Sequence, residues 1–319
     1  MIQLGKKCSI IYNPVATGLT DSIKNDIVKV VREKGYECSL IESEFKGHVL
    51  ELIELENKES DLILTIGGDG TASEAFRGFQ GLRQKALYSH IPLGTTNDMA
   101  NNFGIAKLSP KDAVYEILSG EQKEIDMVQM NNTSFAYVSA WGMLASVPYR
   151  TSNKAKKRFG HAAYISAAMP ELLQKLVGLD KKLNITYNID GKYYDEKVLL
   201  GAVSNSIGFG GVKLYKDAIL NDGIFEVILI KNLNTKTVLS LFRDYLKDDI
   251  DLEKYKECFK IIKTDNIEIT FNGNPPKYKA DNDGEIAIYN SFNLNLLNYQ
   301  MSKQKLKILI PSNTKGYKK

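Results

Sequence analysis

The stretch Asp61-Leu62-Ile63-Leu64-Thr65-Ile66-Gly67-Gly68-Asp69-Gly70-Thr71 decides how this chain folds. Asp61 to Ile66 is a short apolar run closed by glycine, the pattern of a strand buried on both faces. Beyond Thr71 the pattern turns helical, and the spacing predicts a helix over Ala72 to Phe79. A strand that passes through a glycine turn into a helix belongs to an open α/β sheet, where ligands bind beyond the carboxyl ends of the strands. Gly67, Gly68 and Gly70 let backbone N–H groups approach a phosphate with no Cβ in the way, and a helix N-terminus favours anions. The turn lacks the GK[ST] ending of a P-loop and is not GxGxxG. Asp69 sets a carboxylate inside that cradle, which repels phosphate unless a divalent cation stands between them. By itself the same turn also reads as a plain Asp-Gly link between strand and helix.

The flanking sequence repeats the unit. Cys8 to Tyr12 reads as a strand, and Asp21 to Lys34 as an amphipathic helix with Ile23, Ile27, Val28 and Val31 on one face and Gly35 past its end. Strand Glu37 to Ile41, helix Val49 to Glu56 and strand Ala86 to Leu93 follow, which predicts a parallel sheet with helices on both faces. Two further turns fall at the same sheet edge: Asn13-Pro14-Val15-Ala16-Thr17-Gly18, and Pro92-Leu93-Gly94-Thr95-Thr96-Asn97-Asp98. Together the three turns make a nucleotide-sized crevice, although Asp98 alone reads as the N-cap of a helix from Met99 to Phe103.

Past Ile125 strands follow strands: Asp126 to Val138, Leu183 to Ile189, Lys197 to Val203, Phe225 to Ile230, Cys258 to Lys263, Ile267 to Phe271 and Glu285 to Tyr289. Turn signals such as Ile189-Asp190-Gly191 and Asn272-Gly273-Asn274 separate them, and helices are predicted at Asn153 to Val177 and Lys236 to Leu246. This half is expected to be an antiparallel sandwich or barrel. Lys305 to Pro311 is a last strand, followed by a Lys-tipped tail expected to fray. The domains are set at 1–130, with 300–319 returning to that unit, and 131–299.

The chain has 319 residues, room for two domains at about 150 each. Lys+Arg 42 against Asp+Glu 38 gives +4, too even for a nucleic-acid binder. Cys8, Cys38 and Cys258 form no CxxC unit and read as free thiols in a reducing compartment. His48, His90 and His161 have no ligand-like spacing. No run approaches the ~18 apolar residues that span a bilayer, and Met1 to Tyr12 lacks the apolar core of a leader. The expectation is a cytoplasmic protein, at most transiently at a membrane. Lys154, Lys156, Lys157 and Arg158 precede the apolar run Phe159 to Met169 and could rest on anionic headgroups or simply be a solvated helix end.

The first turn, GGDGT, PxGTxND and the late Asp283-Gly284-Glu285 together resemble the diacylglycerol-kinase catalytic family, in particular the soluble bacterial lipid kinases of the diacylglycerol kinase B and YegS type. The likeness runs over nearly the whole chain, including Asn205 to Gly211 and Asp217 to Gly223. GGDGT alone is shared with NAD kinases and phosphofructokinase relatives; PxGTxND and DGE narrow the match. The resemblance implies a doubly wound α/β domain that binds ATP with Mg2+, and a β-sandwich-like domain that receives a lipid alcohol such as diacylglycerol. It puts Asn13, Pro14, Thr17, Gly18, Ser43, Gly68, Asp69, Gly70, Thr71, Glu74 and Thr95 at the nucleotide. It implies Asp69, Asp98 and Asp126 organising the catalytic magnesium, Glu285 as general base, and Asp222 with carbonyls near Ile219 and Ile224 at a structural metal. It also implies peripheral membrane contact and a homodimer through the β domain. Two departures stand out: the first turn is one residue longer than the family's, and Ser73 replaces an Asn. The other readings are an NAD kinase-like small-molecule kinase and a non-catalytic nucleotide- or lipid-binding regulator.

Overall fold

The computed structural model describes residues 5–94, 96–131, 133–135, 137–142, 182–210, 212–215, 217–247, 250–273, 281–283, 285–286 and 295–318. The N-terminal unit runs β1 (Lys6–Tyr12), α1 (Asp21–Glu33), β2 (Tyr36–Glu42), α2 (His48–Glu59), β3 (Leu62–Gly67), α3 (Asp69–Phe79), β4 (Leu87–Pro92), α4 (Asp98–Asn102) and α5 (Pro110–Leu118). β1 pairs in parallel with β2 and β3, and β3 with β4. Every residue of β3 is buried, as a central strand covered on both faces requires. α1 packs with α5, and α2 with α3, which puts helices on both sides of the sheet. α1 starts where Thr20 accepts the Ile23 N–H at 3.2 Å, and it turns Ile27, Val30 and Val31 inward.

The remaining strands are β5 (Glu121–Met130), β6 (Thr133–Phe135), β7 (Val138–Gly142), β8 (Leu183–Ile189), β9 (Lys192–Val198), β10 (Leu200–Ser204), β11 (Gly208–Phe209), β12 (Val212–Lys213), β13 (Phe225–Ile230), β14 (Phe259–Thr264), β15 (Asn266–Phe271), β16 (Asp281–Asn282), β17 (Glu285–Ile286) and β18 (Leu296–Ile310); α6 (Thr235–Leu246) interrupts them. The expected α/β unit followed by a β-sandwich-like unit is the architecture observed. β18 joins the two. It runs parallel to β4 at Ile308–Tyr88 and antiparallel to β5 and β15, giving the order β2-β1-β3-β4-β18-β15-β8-β9. A second sheet, β14-β13-β10-β7-β16-β17, faces its distal half. Between them lie Trp141, Tyr187, Phe225, Phe271 and Tyr299, with Trp141 edge-on to Phe271 at 5.2 Å.

Several expected elements differ. The run Asp126 to Val138 is not one strand: the chain reverses at Asn131, whose φ is +53°, so Met130 pairs with Thr133. Lys197 to Val203 is split at Leu199, where the chain leaves one sheet for the other, β9 pairing with β8 and β10 with β13 and β7. The last strand starts at Leu296, because a register shift between Met301 and Lys305 absorbs the polar stretch that hides it in the sequence. The tail after it is pinned rather than frayed: Leu220 N–H donates to Gly316 O at 2.7 Å, and the Tyr317 hydroxyl donates to Asn102 O at 3.1 Å. The helix expected at 153–177, with Lys154, Lys156, Lys157, Arg158 and His161, lies outside the described residues. Among the described residues no helix is long and apolar enough to cross a membrane.

Candidate active site

At the carboxyl edge of β1 and β3 lies a cleft of about 410 Å³, in the size range of small-ligand sites. Its floor is the glycine turn. α3 begins at Asp69, with Gly68 as its cap residue, so the helix starts inside the motif rather than at Ala72. A Cβ on Gly67 would stand 2.3 Å from Thr71 Oγ1, and one on Gly94 would stand 2.8 Å from Gly68 Cα. The two loops touch backbone to backbone, which only glycine permits. Gly68, Gly70, Thr71 and Glu74 line the cleft together with Asn13, Pro14 and Ser43.

Local bonds hold these groups. Asn13 N–H donates to Ile66 O at 3.1 Å, and its side-chain oxygen accepts the Val15 N–H at 3.0 Å. Ser43 N–H donates to Tyr12 O at 2.9 Å, extending β1–β2 pairing to the rim. Glu74 accepts the Gly47 N–H at 3.0 Å, fastening the loop before α2. Thr17 and Gly18 close the first turn away from the cleft wall, and Val15 takes the lining position of the longer turn. Thr95 lies outside the described residues.

The sequence reading missed the opposite wall, Glu44, Phe45, Lys46 and Val49. Phe45 is exposed and stacked on His48 at 4.5 Å, presenting an apolar ring to the opening. The available signal was a lone Phe-Lys-Gly between a strand and a helix, which carries no motif.

The acidic residues fall into different surroundings. Asp69 is half-buried; its two oxygens accept from Thr96 Oγ1 at 2.7 Å and from Met99 N–H at 3.1 Å. Burial pushes its carboxyl above the ordinary aspartate range, and hydrogen bonds from Thr96 and from the Met99, Asn97 and Asp98 amides pull the other way. Asp98 does not cap α4: it is the first helical residue, and its carboxylate reaches across to accept Gly210 N–H at 2.8 Å. Asp126 is buried, accepts Gly223 N–H at 2.6 Å and pairs with Lys305 at 2.7 Å. Asp222 closes its own turn by accepting Ile224 N–H at 3.1 Å, with Ile219 on the near side of that turn. Among the described residues no group of three His, Cys, Asp or Glu side chains is close enough to hold a metal ion.

The DGE turn meets α3 through its aspartate. Ser73 Oγ, in the first turns of α3, donates to Asp283 Oδ2 at 2.9 Å, while Tyr137 and Val138 N–H donate to Oδ1 at 2.9 and 3.0 Å. Ser73 thus binds the second unit to α3. Asp283 sits at the turn between β16 and β17, where Asn282 pairs with Glu285. The backbone of Glu285 is therefore held two residues from that contact; its side chain lies outside the described residues.

A glycine turn carrying an aspartate, with an acidic hairpin from the β-sandwich-like unit bonded to its helix, is the arrangement expected of a two-unit kinase. The comparisons agree. Residues 7–130 match the diacylglycerol kinase catalytic domain, and residues 137–293 match the YegS C-terminal NAD kinase beta sandwich-like domain. A curated diacylglycerol kinase of Bacillus subtilis (strain 168) is 32% identical over 279 residues, 84% of this chain and 89% of its own. One from Staphylococcus epidermidis is 32% identical over 236 residues, 72% of each chain. A solved diacylglycerol kinase structure from Bacillus anthracis str. Sterne superposes with a TM-score of 0.72 at 17% identity, covering 98% of this chain and 99% of that one. This chain belongs to the diacylglycerol kinase catalytic family, the family of lipid kinases.

Proposed function

We propose that this protein transfers the γ-phosphate of ATP, with Mg2+, to the hydroxyl of diacylglycerol, giving phosphatidic acid, or to that of a related lipid alcohol. The observation that carries the proposal is the Ser73–Asp283 contact, which brings the DGE hairpin to the start of the phosphate-loop helix. In this reading the triphosphate lies along Gly68, Gly70 and Thr71, and Phe45 offers its ring to the base. Phosphoryl transfer demands alignment and charge neutralisation more than covalent chemistry. Glu285 takes the acceptor proton, the lipid oxygen bonds to phosphorus, and the bond to the β-phosphate oxygen breaks, releasing ADP.

Asp69 fits a hard divalent cation. It is an all-oxygen donor, and burial already disfavours its charge unless a cation or donor compensates it. Magnesium bound there would neutralise the triphosphate. Asp69 holds its carboxylate in place through Thr96 and Met99. Asp98 and Asp126 would support that environment from the loops they fasten, and Asp222 would do so in the second unit. The cationic cluster at Lys154–Arg158 would bring the enzyme to the bilayer where its substrate resides.

The test is transfer of labelled γ-phosphate from ATP to a panel of lipid alcohols in mixed micelles, with magnesium titrated. Magnesium-dependent labelling of a lipid alcohol is expected. Labelling confined to a soluble alcohol, or none at all, contradicts the proposal.

A further inference from the structure

We propose that Cys8 and Cys38 are a covalent modification site, a dithiol that a hydroperoxide closes to a reversible disulfide. The two cysteines, both free thiols, stand directly opposite each other on the parallel strands β1 and β2, in the register Lys7–Glu37, Cys8–Cys38, Ser9–Ser39. Side chains opposite in register share a face of the sheet, and adjacent strands run about 4.8 Å apart. A disulfide joins Cα atoms roughly 4.4–6.8 Å apart, so the ladder holds this pair within bonding range. The next pair shows how closely facing side chains come here: Ser9 Oγ and Ser39 Oγ are 3.5 Å apart. Ser9 donates to Glu56 of α2, so alternation turns the two cysteines to the face away from that helix. There Cys8 is part of the buried core and Cys38 packs against it.

The two thiols are unequal, as a stepwise oxidation requires. β2 ends the sheet order and Cys38 is partly exposed, so a small peroxide meets it first. Cys8 is buried, which pushes its thiol up and keeps it protonated and shielded from solvent. The Cys38 sulfur attacks a peroxide oxygen and the O–O bond breaks, leaving a sulfenic acid at Cys38 and an alcohol or water. The Cys8 sulfur then bonds to the Cys38 sulfur, and the sulfenic hydroxyl leaves with the Cys8 proton as water. Two electrons pass from the dithiol to the peroxide, and a thiol reductant returns them. The bond would tie together the two strands that run on into the nucleotide cleft, where Ser43 N–H donates to Tyr12 O and Asn13 follows. Cys258 lies in the second unit beside Thr237 Oγ1, at 3.8 Å, and serves as the internal control.

The test treats the full, reduced chain with hydrogen peroxide, without nucleotide, and then alkylates the remaining thiols under denaturing conditions. Intact mass and peptides mapped without reduction are the readouts. A monomer lighter by about 2 Da is expected, with Cys258 alone open to alkylation and a Cys8–Cys38 cross-link that dithiothreitol reverses. Cys258→Ser should form the same cross-link, and Cys38→Ser, a change on a partly exposed edge strand, should form none. A sulfinic acid at Cys38 without a cross-link, or a cross-link to Cys258, overturns the proposal. So does survival of all three thiols at a peroxide dose that oxidises glutathione. Because the bond is read by mass, these outcomes are independent of whether the protein proves to be a lipid kinase.

Discussion

Replacing Asp283 tests the link between the two units. Its carboxylate is buried and, among the described residues, accepts from Ser73 Oγ and from the Tyr137 and Val138 amides. In Asp283→Ala the serine hydroxyl can turn elsewhere, but the two amides stay in place without an acceptor, at about 1–3 kcal/mol each. Asp283 also has φ +56°, a left-handed conformation that Asp and Asn tolerate and that costs alanine about 1–2 kcal/mol. The expected loss is therefore about 4 kcal/mol of stability. Asp283→Asn keeps an acceptor oxygen for the amides and tolerates the backbone, so it should lose about 1 kcal/mol. Denaturant unfolding measures both, and nucleotide affinity should survive in each. Lipid phosphorylation should fall steeply in the alanine variant, whose DGE hairpin has lost its anchor. A Ser73→Ala/Asp283→Asn double-mutant cycle should show coupling of about 0.5 kcal/mol or more. Alanine no worse than asparagine, or a stable alanine variant at full turnover, would refute the reasoning.

Gly94→Ala should raise the KM for ATP about tenfold or more, because its Cβ would sit 2.7 Å from Asn97 Oδ1 and 2.8 Å from Gly68 Cα, and an unchanged KM would contradict the loop contact. Asp69→Asn should lower turnover about a hundredfold or more while sparing nucleotide binding. Protonation removes the charge that a cation needs, so parental activity should decline on the acid side at a pH above the ordinary aspartate value, and a pH–rate profile checks this. Glu226 is raised to about 7, first by burial and then by Asp222, against the opposing pull of Lys263. A carboxyl raised on folding contributes stability at pH below its unfolded value, and that contribution is lost as pH rises through about 7. Glu226→Gln should therefore raise the Tm at pH 8 and not at pH 5.

What the sequence disclosed was local. The strand-glycine-helix pattern around Asp69 and the alternating elements before residue 100 follow from period and turn chemistry within about ten residues. What it concealed depends on distant partners. Lys305 and Asp126 pair across 179 positions, and nothing in either neighbourhood marks the contact. β18 hides because Ser302, Lys303 and Gln304 break its apolar alternation just where its register shifts. Asp98 has the sequence context of a helix cap, and only the fold brings Gly210 within reach of its carboxylate. The Ser73–Asp283 bond spans the two units, so the serine's role could not be read from GGDGT alone. Phe45 and Lys46 needed the cleft itself to acquire a meaning.

The central claim is that a kinase site is completed where the DGE hairpin meets the glycine cradle. Its most direct test compares γ-phosphate transfer to diacylglycerol by the parent and by Glu285→Gln, with nucleotide binding measured alongside. The account predicts transfer by the parent, loss of transfer in the variant and equal nucleotide affinity in both. Parental-rate transfer by Glu285→Gln, or no lipid phosphorylation by the parent, would contradict it.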